Sequence, residues 1–140
     1  MTFAVCVDDR GGMLFNNRRQ SRDRAVVADL LALAEGEGKR LCVSGFSQKL
    51  FEGIEGVEPL VKVLDRFPED AGEGDICFAE NISLAPWEDR AERLVIYRWN
   101  RAYPGDLFFD IRTEAPWRLV SVEEFEGYSH EKITKEIYVK

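Results

Sequence analysis

The chain has 140 residues, of which 45% are hydrophobic and 32% charged, and its formal net charge is −7. This length predicts a single domain, residues 1–140, that buries roughly two-thirds of its unfolded surface. The negative charge argues against general nucleic-acid binding and against adhesion to anionic lipid. No stretch approaches the ~20 apolar residues of a membrane span, and the first residues lack the pattern of a signal peptide. We therefore expect a cytoplasmic protein with no membrane partner.

Short apolar runs at four places predict the strands of a buried sheet. The runs are continuous rather than alternating, and they occur at residues 3–7, 41–44, 76–79 and 94–99. Continuous runs are typical of strands that are covered on both faces in a parallel sheet. A further short strand is expected at residues 61–64.

A long polar connection, residues 8–24, follows the first predicted strand. It holds two adjacent glycines, two adjacent asparagines and five arginines, four of them within residues 18–24. Loops of this length in a compact domain are usually either functional or disordered. Apolar residues at helical spacing follow it, with Ser21 as the expected N-cap, and Gly36 and Gly38 are expected to end the helix.

The second half of the chain predicts two more short helices and a change of sheet type. One helix is expected after Ser47 and another from Pro86, where a missing N–H costs nothing. Residues 117–122 and 133–139 alternate in part between apolar and polar, which favours antiparallel strands at one edge. The predicted fold is α/β: a mixed, mostly parallel sheet with flanking helices and a C-terminal antiparallel hairpin.

The cysteines and the histidine exclude several kinds of metal site. Cys6, Cys42 and Cys77 lie in separate apolar runs with no Cys-x-x-Cys spacing, so they indicate buried thiols rather than zinc ligands or a disulfide framework. The chain has one histidine, His130. It therefore cannot build the histidine- and aspartate-rich two-metal site of ribonuclease Z, a label that similar short chains sometimes carry.

The order of these elements resembles that of dihydrofolate reductase over nearly the whole chain, with a shortened middle. The segments that carry the resemblance are residues 3–34 (strand, polar connection and helix), 39–45, 93–97, the Gly-Asp-Leu-Phe-Phe motif at 105–109, Trp117, Phe125 and the last strand at 135–138. Most of these positions are structural. The resemblance therefore implies a dihydrofolate-reductase-like fold more than it implies an activity.

The functional positions implied by the resemblance are only partly retained. Asp23 matches the family's acidic residue that holds the pterin ring, and Asp106 matches the aspartate that contacts the active-site loop. Tyr97 stands where the family has threonine, and Phe46 stands where it has a basic residue that pairs with the cofactor phosphate. The family's glycine pair, which lets the backbone approach the NADPH pyrophosphate, is replaced at residues 78–81. Because Glu80 would repel a phosphate there, NADPH is disfavoured and no cofactor is expected.

The candidate ligand-binding residues lie in the polar connection and in the loop after the 94–99 strand. They are Arg18, Arg19, Arg22, Asp23, Trp99 and Arg101. Guanidinium groups match phosphate or carboxylate, and in a dihydrofolate-reductase-like fold these two loops are neighbours. Each residue also has a simpler interpretation: solvated arginines paired with surface acids, an aspartate that favours the start of a helix, and a tryptophan that plugs the end of the sheet.

Three functions remain open from the sequence. The first is a binding domain, rather than an enzyme, for a small anionic or nucleotide-like ligand or a protein partner. Its arginines would supply charge, Asp23 a directional acceptor or a weak catalytic candidate, and Trp99 a flat apolar wall. The second is a divergent NADPH-dependent reductase in which Asp23 orients the substrate. The third is a structural or interaction protein whose cleft is filled by Tyr97, Phe78 and Phe46.

Overall fold

The computed structural model describes residues 1–140 and is built on a seven-stranded sheet. In chain order, the strands of the whole protein are β1 (Thr2–Val7), β2 (Gly12–Phe15), β3 (Arg18–Arg19), β4 (Leu41–Val43), β5 (Val61–Val63), β6 (Ile76–Phe78), β7 (Arg93–Arg98), β8 (Leu107–Phe108), β9 (Arg118–Phe125) and β10 (Ile133–Val139). The main sheet has the order β5-β4-β6-β1-β7-β10-β9. Its first five strands run parallel, and β10 pairs antiparallel with both β7 and β9. The predicted mixed sheet with a C-terminal antiparallel hairpin is therefore confirmed.

The centre of the sheet is buried on both faces, which explains the continuous apolar runs. Phe3, Val5 and Val7 of β1 belong to the core on one face, whereas Ala4 belongs to the core on the other. Cys42 and Cys77 are fully buried on paired strands, as the sequence predicts, whereas Cys6 on β1 is only partly buried. Full burial of a side chain such as that of Phe3 or Val5 stabilises the fold by about 1.5–3 kcal/mol.

The single α-helix, α1 (Arg24–Glu37), covers the face of the sheet that holds Ala4. Its N-cap is Asp23, whose carboxylate accepts a hydrogen bond from the Ala25 N–H, so the expectation of Ser21 as N-cap is wrong by two residues. The helix ends at Gly38, which has φ +64°, a left-handed conformation that favours glycine. Gly36, expected at the end, lies within the last turn.

The segments predicted as short helices are 3₁₀ turns. They span Gln48–Phe51 and Ala85–Arg90, so α1 is the only flanking α-helix. Ser47 precedes the first turn but does not cap it with its side chain. No helix in the protein is long and apolar enough to cross a membrane.

The polar connection after β1 is an ordered second sheet rather than a loop. Strands β2 and β3 form a hairpin, and β8 pairs with the other edge of β2. The two hairpin turn residues, Asn16 and Asn17, have φ values of +52° and +59°. Asparagine tolerates this left-handed conformation, and two such residues in succession form the tight turn that matches the twist of a hairpin.

Candidate functional site

The hairpin lies against the loop that follows β7, as the resemblance implied. The Asp9 N–H donates to the carbonyl of Arg101 at 2.9 Å. The Gln20 side-chain amide donates to the carbonyl of Pro104 at 3.0 Å. Asp106 accepts a hydrogen bond from the Asn16 N–H at 3.0 Å, which is the contact with the active-site loop that its matching position implied. These bonds fix the hairpin against the rest of the domain.

The Asp8 carboxylate binds both the start of the hairpin segment and the loop that follows β7. It is almost fully buried, and its carboxylate accepts from the N–H groups of Arg10 at 2.9 Å, Gly12 at 2.7 Å and Tyr103 at 2.9 Å. Burial would raise its pKa, but these backbone donors outweigh burial and hold the pKa below its ordinary value. Asp8 therefore shapes the turn into the glycines, as its position in the sequence indicated.

Asp23 is a second buried carboxylate, and its acceptor sites are filled from within the protein. One oxygen accepts from the N–H groups of Ala25 and Tyr128, both at 2.9 Å. The other accepts from the Ser129 N–H at 2.8 Å, the Ser129 hydroxyl at 3.1 Å and His130 Nδ1 at 3.0 Å. Burial opposes ionisation, but the hydrogen bonds from His130 and the backbone hold the Asp23 pKa far below its ordinary value.

His130 lies between Asp23 and two hydroxyl groups. Because an ionised carboxylate can only accept, Nδ1 carries the proton that faces Asp23, and in the neutral imidazole Nε2 is then an acceptor. Nε2 lies 3.2 Å from the Ser21 hydroxyl and 2.9 Å from the Tyr103 hydroxyl. The imidazole ring stacks on Trp99 with ring centroids 4.5 Å apart. Trp99 is buried by this contact and does not form an open wall.

A third buried carboxylate, Glu80, lies just beyond the end of β6. It accepts two hydrogen bonds from the Arg19 guanidinium, both at 2.9 Å, and one from the Ser47 hydroxyl at 2.7 Å. The same guanidinium lies 4.7 Å from the ring centre of Phe46. Glu80 and Phe46, which the resemblance matches to phosphate-binding positions, are therefore linked through Arg19, which forms a bidentate ion pair with Glu80 and packs on the Phe46 ring.

The predicted arginines are distributed over two cavities. We call the first the hairpin pocket. Its volume is about 630 Å³, and it is lined by Phe15, Asn16, Arg18, Arg19, Gln20, Tyr103 and Pro104. Arg22 and Asp23 instead line a cavity of about 430 Å³ at the start of α1, together with Arg24 and Lys49. Arg101 is exposed and lines neither of the two. The six candidates therefore do not form one pocket.

The cleft between α1 and the ends of the strands is nearly closed. It is lined by Cys6, Phe78, Trp99 and other mainly apolar side chains, and its volume of about 10 Å³ is barely enough for one water molecule. Tyr97 is fully buried, and its hydroxyl donates to Asp29 at 2.5 Å. Burial and the nearby Asp29 carboxylate raise the pKa of Tyr97 well above its ordinary value.

Sequence reasoning missed the part that His130 and Tyr103 play. A histidine in a polar segment such as residues 128–132 is typical of an exposed loop, whereas the His130 side chain is 1% exposed. It lies 107 positions from Asp23, and no local pattern relates the two. The sequence does place a glycine, Gly127, three residues before His130. In the structure, a Cβ at Gly127 would lie 2.5 Å from Asp23 Oδ2. Only glycine lets this loop approach the carboxylate so closely.

Comparison with known proteins identifies the fold. No protein-family model matches the chain, and no curated protein matches its sequence. Among solved structures, the chain is similar to dihydrofolate reductase from Enterococcus faecalis complexed with NADP(H) and RAB-propyl. The TM-score is 0.64 at 12% sequence identity, and the alignment covers 99% of this chain and 94% of the reductase. The chain therefore has a dihydrofolate-reductase-like fold, and at this identity the likeness shows the fold alone.

Proposed function

We propose that this domain binds a small anionic, nucleotide-like ligand in the hairpin pocket. The observation that carries the proposal is an unpartnered acceptor: Oε1 of Gln20, which lines the pocket, is buried and has no hydrogen-bond partner in the protein. Buried polar atoms are nearly always paired, so Oε1 lacks a donor that a ligand or a water molecule entering beside Gln20 would supply.

The other lining groups indicate what such a ligand would carry. Arg18 is exposed and forms no salt bridge within the protein, so its guanidinium is available to an anionic group. Arg19 adds positive charge that Glu80 partly neutralises. Phe15 and Tyr103 offer aromatic surface to a planar group. An anion, a hydrogen-bond donor and a planar ring occur together in nucleotides.

Two buried carboxylates favour this binding function over a divergent reductase. Asp23, which matches the family's pterin-binding acid, accepts five hydrogen bonds from the protein, so none of its acceptor sites is left for a pterin. The resemblance matches Glu80 to the place where the family's backbone approaches the pyrophosphate, and there Glu80 occupies the Arg19 guanidinium, so neither a glycine backbone nor a free cation is offered to a phosphate. We therefore do not propose NADPH as a cofactor.

The experiment is a calorimetric titration with adenosine monophosphate, inorganic phosphate and NADPH in parallel. We expect saturable binding of adenosine monophosphate that weakens as salt is added, because a partly exposed guanidinium is screened by salt. Arg18→Ala should weaken it about tenfold, which corresponds to the loss of one charge-assisted hydrogen bond of about 1.4 kcal/mol. Arg112→Ala is the matched control, because Arg112 is an exposed arginine outside the pocket.

The outcomes of this titration distinguish the three candidate functions from one another. Equal weakening by Arg18→Ala and Arg112→Ala would mean that the ligand responds to net charge alone and would contradict the proposal. Tight binding of NADPH but not of the monophosphate would favour the reductase. Absence of binding by all three would leave a structural or protein-binding domain.

A further inference from the structure

Three side chains of this protein have the geometry of a serine nucleophile with its general base. Ser21 Oγ lies 3.2 Å from His130 Nε2, and His130 Nδ1 lies 3.0 Å from Asp23 Oδ2. The hydroxyl and the carboxylate therefore contact opposite nitrogens of one imidazole. This is the arrangement in which the carboxylate fixes the tautomer whose Nε2 can take the serine proton, and the Tyr103 hydroxyl contacts the same nitrogen at 2.9 Å.

The base and the carboxylate are held in place before any substrate binds. The side chains of Asp23 and His130 are 0% and 1% exposed. Stacking on Trp99 fixes the plane of the imidazole ring, and backbone N–H groups fix the carboxylate. Rigid positioning of this kind is needed for efficient proton transfer, since the reacting groups must stay within hydrogen-bond reach.

Ser21, the proposed nucleophile, is more exposed than Asp23 and His130, as a group that must reach a substrate has to be. Ser21 is only partly buried, and its side chain lines the mouth of the narrow cleft beside Arg22. It precedes the N-cap of α1, so the positive end of the helix dipole lies nearby. The backbone N–H of Arg22, the residue after the nucleophile, makes no hydrogen bond to the backbone of another loop or turn, so it is available to an oxyanion.

From this geometry we propose that Ser21, His130 and Asp23 form a hydrolytic site for small carboxylic esters. The site goes beyond the proposed ligand binding and does not depend on the hairpin pocket. The cleft behind Ser21 has a volume of only about 10 Å³ and holds no acyl group, so the ester approaches Ser21 from the solvent side, and we expect small, unhindered esters as substrates.

The reaction balances without a cofactor. Ser21 Oγ attacks the carbonyl carbon while its proton moves to His130 Nε2. The bond from that carbon to the alcohol oxygen then breaks, and the alcohol leaves with the proton from Nε2. A water molecule attacks the acyl-serine and gives a proton to Nε2, the acid is released, and Ser21 Oγ recovers its proton. The net change is one ester and one water converted to one acid and one alcohol.

The test uses p-nitrophenyl acetate as substrate and a fluorophosphonate as a covalent probe of activated serine. We expect release of nitrophenolate at least about 100-fold faster than with the urea-unfolded chain, as general-base catalysis usually contributes 10²–10⁴-fold. Ser21→Ala should reduce the rate to that of the unfolded chain. Ser44→Ala should retain it, because Ser44 is also partly buried but has no histidine neighbour. Mass spectrometry should find the probe on Ser21.

Either of two results would overturn the proposal. One is equal hydrolysis by the parent and Ser21→Ala, with both variants folded as judged by their denaturation curves. The other is a probe adduct at a different residue, or none at all, on the folded protein. The comparison with the unfolded parent needs no variant of Asp23 or His130, whose removal would also destabilise the fold.

Discussion

Replacing Asp23 by asparagine keeps the shape of the side chain but removes one of its two acceptor oxygens. If the amide oxygen takes the place that accepts from Ala25 and Tyr128, the amide NH₂ faces the N–H groups of Ser129 and His130. Two buried donors then lose a charged acceptor, at a cost of roughly 1–3 kcal/mol for each unsatisfied group. We expect Asp23→Asn to lower the free energy of unfolding by about 2–4 kcal/mol at pH 7.

The same carboxylate makes this difference depend on pH. The pKa of Asp23 is lower in the folded protein than in the unfolded chain, where it is about 4. Its stabilisation is therefore complete above that unfolded value and is lost as the pH falls through the folded pKa. The advantage of the parent over Asp23→Asn should be full at pH 7 and smaller at pH 3.

Urea denaturation followed by tryptophan fluorescence measures both effects. Asp106→Asn is the matched control, since Asp106 is exposed and accepts one backbone hydrogen bond, from Asn16. Asp106→Asn should lower the free energy of unfolding by less than about 1 kcal/mol, because substitutions of exposed residues usually have small effects. Equal costs for the two variants, or a difference that does not change between pH 7 and pH 3, would refute the account of Asp23 as a buried, ionised hub.

Three further changes test other parts of the structure by the same denaturation assay. Arg19→Met should lower the free energy of unfolding by about 2–3 kcal/mol, because it leaves the buried Glu80 carboxylate without its cation. The loss is moderate because the Arg19 side chain is itself 21% exposed. Adding Glu80→Met should recover most of it. Asn17→Ala should lower the free energy of unfolding by about 1 kcal/mol, because φ is +59° at that position and alanine adopts it poorly. Asn17→Gly should not lower it, because glycine adopts this conformation readily. Gly127→Ala should cost about 1–3 kcal/mol by overpacking, whereas Gly74→Ala, with open space around it, should change stability by less than about 0.5 kcal/mol.

The main sheet could be predicted from the sequence because burial alone determines it. A strand covered on both faces, such as β1, needs an uninterrupted apolar run, and that run is visible without knowledge of its partners. The start of α1 was less certain, because Ser21 and Asp23 are both good N-caps. Tertiary contacts decide between them: the loop at Tyr128 and Ser129 holds the Asp23 carboxylate in position.

The hairpin and the site could not be predicted with the same ease. Asn16 and Asn17 are compatible with a tight turn, but Asn-Gly is the stronger hairpin signal, and the flanking strands are only four and two residues long. The groups around His130 come from three distant segments that meet only in the folded protein. Their partners are long-range, so neither periodicity nor spacing indicates which polar side chains are buried together.

The position of β10 has a consequence for how the chain reaches its native state. This strand follows β9 in the chain, yet it lies inside the sheet between β7 and β9. Until residues 133–139 pair with their neighbours, β7 keeps an open edge and β9 has no partner. Exposed strand edges of nascent chains are prone to pair with other chains. Docking of β10 therefore completes two strand pairs at once, and a partly folded chain without it exposes the edge of β7.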